Sequence, residues 1–119
     1  MTDNTLLIGY ASTDGGSNYD TTSGNYHYNG NTDVAAFFIT NQYIGNATGE
    51  YGVSGNFQLL APHNASVYTY SISQTSVMTS ASPSLYKYTP ASATHGACTV
   101  HLVAADVDAI KFQFDSGNI

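Results

Sequence analysis

Residues 12–30 read STDGGSNYDTTSGNYHYNG and bring two aspartates, three tyrosines and a Gly-Gly pair into one polar stretch. Asp14 and Asp20, with Asp33 just beyond and Asn18, Asn25 and Asn31 between them, supply the oxygen donors that a calcium ion takes from loops. The order is not that of an EF-hand, because the alternating Asp-x-Asp-x-Asp-Gly run and the closing glutamate are missing. A turn held by Asp and Asn side chains bonding to their own backbone accounts for the same residues without a metal. The sequence therefore assigns no metal site and no cofactor.

Tyr19, Tyr26, Tyr28, Tyr43 and Tyr51 fall in or beside Gly- and Asn-rich segments. Tyrosine offers a flat apolar ring and a hydroxyl at low entropic cost, which suits contact with sugar rings or protein surfaces. These five are the candidate ligand contacts. The alternative is that they fill the faces of a sheet.

Acid–base and nucleophilic chemistry finds less to work with. Glu50 is the sole glutamate, so a two-carboxylate glycosidase site would need Glu50 with Asp33 or Asp106. No Gly-x-Ser-x-Gly elbow is present. His27, His63, His95 and His101 are dispersed without metal-binding spacing, and His101, alternating with Val100 and Leu102, is expected on a surface or interface. Cys98, the single cysteine, reads as a small core residue in ACTVHLV. A non-enzymatic protein is expected.

Composition narrows the partners. Lys87 and Lys111 are the only basic residues against eight acidic ones, giving a net charge of −6. Without arginine the chain cannot build a phosphate-neutralising stripe, so nucleic acid and anionic membrane surfaces are not expected partners. Charged residues make up 8% of the chain, against roughly 25% in an ordinary soluble domain. Surface polarity must come from Ser, Thr, Asn, Gln and Tyr. The first residues, MTDNTLLIGYAS, lack the basic start and apolar run of a signal peptide. No segment approaches the roughly 20 apolar residues of a membrane helix.

The elements that must position these residues read as strands. LLIGYA alternates, with Leu6, Ile8 and Tyr10 on one face, and meets Asp14-Gly15-Gly16, which reads as a hairpin tip before NYHYN. VAAFFITNQY and GVSGNFQLLAP follow, the latter aligning Val53, Gly55, Phe57 and Leu59. In SVYTYSIS, Tyr68, Tyr70 and Ile72 share a face. A Pro-containing connection carries a short edge strand near Tyr86, and ACTVHLVA and AIKFQF close the series. Residues 99–110 also approximate helical spacing, but a β-branched run and poor caps count against a helix. The fold expected is all-β, a single jelly-roll-like antiparallel β-sandwich domain over residues 1–119 with about six to eight strands.

Three stretches together, LLIGYASTDGGSNYDTTSGNYHY, IGNATGEYGVSGNFQLLAP and VDAIKFQFDSGNI, resemble segments of a β-sandwich module of bacteriophage tail-fibre and other virion appendage proteins. The likeness covers most of the chain and is loosest over residues 76–105. It implies a virion protein assembled in the host cytoplasm, most simply a tail-fibre or spike module that binds a host-surface glycan or protein. The alternative it leaves open is a capsid decoration or head-fibre subunit with a purely structural role. Other virion proteins would be its partners, in a homo-oligomer of which a trimer is the favoured form. Members of that family carry a strand before the segment matching Leu6 and another after the segment matching Ile119. A sandwich without those flanks should leave edges unpaired, to be completed by a longer chain or by neighbouring subunits.

Overall fold

The computed structural model describes residues 5–28, 31–40, 44, 53–78, 85–87 and 96–116. Among them lie nine strands and no helix: β1 (Leu7–Ser12), β2 (Tyr26–Tyr28), β3 (Asn31–Val34), β4 (Phe37–Phe38), β5 (Val53–Leu60), β6 (Thr69–Met78), β7 (Leu85–Lys87), β8 (Gly96–His101) and β9 (Ala109–Phe114). They form two antiparallel sheets, a smaller one ordered β4-β1-β9 and a larger one ordered β3-β2-β8-β6-β5, with β7 pairing β6 beside β8. The all-β sandwich expected from alternation is what forms. The strand count exceeds the expected range because β2, β4 and β7 are no longer than three residues.

One connection differs from its reading. β1 pairs with β4 and β9, whereas β2 pairs with β3 and β8, so residues 13–25 cross between sheets instead of capping a hairpin. Gly15 and Gly16 still supply the turn, at φ of 73° and 83°. Residues 102–108 are not helical, because their amides bond to distant carbonyls: Leu102 N–H donates to Asn25 O, Val107 N–H to Pro62 O and Asp108 N–H to Ser12 O. Each of these bonds ties a connection to the same end of the sandwich.

The core lies between the sheets and gathers Ala11, Tyr26, Val34, Phe37, Ile39 and Val107, with Phe57 and Leu59 packed beside them. Tyr26 meets Phe37 edge-on at 5.1 Å, and Phe57 meets Phe112 at 5.4 Å. Gly9, opposite Phe112 in the β1–β9 register, leaves room for that ring: a Cβ there would lie 3.3 Å from both the Ile110 and Phe112 side chains.

Strand β6 presents its hydroxyl-bearing set to the core. Its buried residues are Thr69, Ser71, Ser73, Thr75 and Val77, while Tyr70 and Ile72 face outward. β8 follows in register, burying Thr99 and His101 and exposing Cys98. Cys98 is thus not a core residue, and His101 is not a surface one. The inward hydroxyls have work to do in the irregular segment at β4. Thr99 Oγ1 accepts from Phe38 N–H, Ser73 Oγ donates to Phe38 O, and Thr75 Oγ1 donates to Ile39 O. Unpaired backbone groups buried between sheets cost about 1–3 kcal/mol each, so side-chain hydroxyls at these positions stabilise the fold better than methyl groups would.

Candidate binding face and loop cleft

Two regions offer polar or apolar groups to a second molecule. The first is a cleft of about 250 Å³ at the sheet crossover, lined by Ser12, Asp14, Tyr19, Asp20 and His101 among others. Its geometry follows from the Asp-Gly-Gly turn. Ser12 Oγ accepts from the Asp14 and Gly16 amides and donates to Asp14 Oδ1, while Asn18 donates to Asp14 through both its amide and its side chain. Those Asn18 hydrogen bonds hold the Asp14 carboxyl below its ordinary range.

Asp20 is the anchor between loop and core. Burial acts to raise its pKa, but hydrogen bonds from His101, Thr22 and Asn25 outweigh that and lower it to about 2. His101 Nε2 lies 2.8 Å from Asp20 Oδ2, and its ring, 1% exposed, stacks 4.7 Å from Tyr26. Its other nitrogen, Nδ1, is buried without a hydrogen-bond partner. The Tyr26 hydroxyl accepts from Ala11 N–H and donates to Asp20 O, and burial pushes its pKa well upward.

The carboxylates here are engaged by their own loop. Among the described residues no three His, Cys, Asp or Glu side chains converge as a metal site would require. Asp33 lies in β3, with its side chain outside the described residues. A second His–Asp contact, His63 Nδ1 to Asp106 Oδ1 at 2.8 Å, sits on the exposed surface.

The five candidate tyrosines separate. Tyr26 is fully buried, so it serves the core and is withdrawn as a ligand contact. Tyr28 is half-buried, its ring 4.4 Å from Phe38. Tyr19 is half-buried at the cleft, with Lys111 Nζ 5.0 Å from its ring centre. Tyr43 and Tyr51 lie outside the described residues.

The second region is the outer face of the larger sheet. Tyr68, Tyr70 and Ile72 are 48%, 47% and 40% exposed along one side of β6 and its entry. The register places His27, Val100, Tyr70 and Leu60 in one row across β2, β8, β6 and β5, and Cys98, Ile72 and Gln58 in the next. A shallow groove of about 460 Å³ runs over them, lined mainly by apolar surface of Tyr70, Ile72, Cys98 and Val100. No Asp, Glu, Lys or Arg occupies these rows.

Comparison with known protein families, curated proteins and solved structures gives no match. The sequence singles out the polar crossover and places Tyr68, Tyr70 and Ile72 on one face without assigning that face to the outside. The signal available was that the alternate set on the same strand, Thr69, Ser71, Ser73 and Thr75, is entirely hydroxyl-bearing, uncharged and small enough to lie between sheets.

Proposed function

We propose that the chain is a non-catalytic module of a bacteriophage virion appendage, a tail fibre or spike, that binds a host-surface glycan through the outer face of its larger sheet. The observation that carries this reading is the outward set Tyr68, Tyr70 and Ile72, with the Tyr70 and Ile72 rows carrying no Asp, Glu, Lys or Arg. Exposed apolar patches on a sheet are unusual unless another molecule covers them. Tyrosine rings stack on the apolar faces of sugars, and the neighbouring Gln58 and Gln74 amides both donate and accept hydrogen bonds to hydroxyls. The sequence likeness to virion appendage modules supplies the setting, extracellular particles meeting bacterial surfaces.

The test uses immobilised bacterial surface polysaccharides and the purified chain. Binding that Tyr70→Ala weakens at least tenfold, with Tyr19→Ala binding as the unaltered chain does, supports the reading. No binding to any polysaccharide, or binding that Tyr70→Ala leaves unchanged, overturns it. The capsid-decoration reading draws on a different observation, the long edge of β5, which among the described residues pairs only with β6. Imaging separates the two, since decoration subunits occupy many positions over a shell and a fibre module few positions at the tail.

A further inference from the structure

Every sheet edge presents unpaired N–H and C=O groups, and proteins guard them by shortness, charge or proline. Four strands with an open side among the described residues are guarded in these ways. β3 spans four residues and contains Asp33, β4 spans two, β7 spans three and ends on Lys87, and β9 carries Lys111 at its centre. β5 is the exception. It runs eight residues, Val53–Leu60, with no charge and no proline, and among the described residues it pairs only with β6. Residues 53–56 are exposed.

We propose that β5 pairs antiparallel with β5 of a second copy of this chain across a two-fold axis. A second copy is the fitting occupant for two reasons. An antiparallel edge is its own complement, since each strand offers alternating donors and acceptors in the reverse order of its mate, as an isologous contact requires. A chain of net charge −6 also repels its copies, and β5 with β6 behind it forms an 18-residue surface, eight plus ten, on which no charges oppose contact. The footprint of one edge is small, which places this contact among the weak associations.

Such pairing joins the two larger sheets into one, with the axis perpendicular to it, so both outer faces point the same way. The two β6 strands then lie three strand spacings apart, roughly 14 Å. If the glycan-binding reading holds, on which this consequence rests, the dimer is a bivalent platform and gains avidity for repeating polysaccharides. The contact is two-fold, where the family likeness favours a trimer.

Sedimentation velocity on the full chain from low micromolar to several hundred micromolar tests the pairing. The unaltered chain should move from monomer to dimer, and the double variant Asn56→Asp/Gln58→Asp should stay monomeric, its dimerisation weakened at least tenfold. Both positions are exposed, and circular dichroism checks that the variant keeps its strands; Asn56→Lys alone serves if it does not. A chain that is monomeric throughout, or an oligomer of any order indifferent to charges on β5, overturns the proposal. Tyr70→Ala keeps the two readings apart, because it should dimerise normally while losing polysaccharide binding. Dimerisation without polysaccharide binding by any form would sink the glycan reading alone.

Discussion

The crossover loop and the outer face of β6 make opposite use of their composition. Residues 12–25 are rich in groups that recognise ligands, yet Ser12, Asp14, Asn18, Asp20 and Asn25 bond to one another and to the core. Tyr70 and Ile72 sit in a strand that looks like ordinary core, yet nearly half of each side chain meets solvent. Polarity in a sequence marks where hydrogen bonds are needed, and those bonds are often internal. An available surface is marked instead by groups whose natural partner is absent from the fold.

The largest effects should fall on the loop side of that contrast. His101→Ala removes a buried ring that packs against Tyr26 and takes from the Asp20 carboxylate its link to the core, leaving only the loop contacts from Thr22 and Asn25. The expected loss is about 3–5 kcal/mol in chemical denaturation. A loss below about 1 kcal/mol would mean that the loop does not depend on the pair.

Acid gives the next effect. Because the folded chain holds the Asp20 pKa at about 2, below its ordinary 3.8, Asp20 stabilises the fold fully above pH 4 to 5. That contribution, on the order of 2 kcal/mol, fades as pH falls from about 4 through 2. Denaturation midpoints across this range should drop more steeply for the unaltered chain than for Asp20→Asn. Parallel profiles would show that another carboxylate governs acid unfolding.

The smallest effect belongs to the sheet face. Tyr70→Ser should change stability by no more than about 0.5 kcal/mol, the range of surface substitutions. A core tyrosine at that position would instead cost about 3–5 kcal/mol. Thermal melts of the two forms decide between these values.

The sequence was informative about which residues share a face and silent about which face is inside. Alternation in SVYTYSIS and AIKFQF correctly groups Tyr68, Tyr70 and Ile72, and sets Ile110, Phe112 and Phe114 apart from Lys111. The inside of β6 is decided by a contact with β4, distant in sequence, whose Phe38 and Ile39 backbone groups need hydroxyl partners. The same register carries Cys98 outward and His101 inward, against hydropathy. The Asp-Gly-Gly turn was legible because glycine at positive φ is a local requirement. That the turn leads to the other sheet was not, because pairing of β1 with β9 joins residues about a hundred positions apart.

Cys98 offers the most direct measurement of the central claim, that β6 and β8 turn Tyr70, Ile72, Cys98 and Val100 away from the core. It is the only cysteine, and it sits opposite Ile72 on the outer face. Alkylation of the native chain by a small maleimide should proceed within a few-fold of the rate in denaturant. Labelling that occurs only on unfolding would place this face inside and contradict the account.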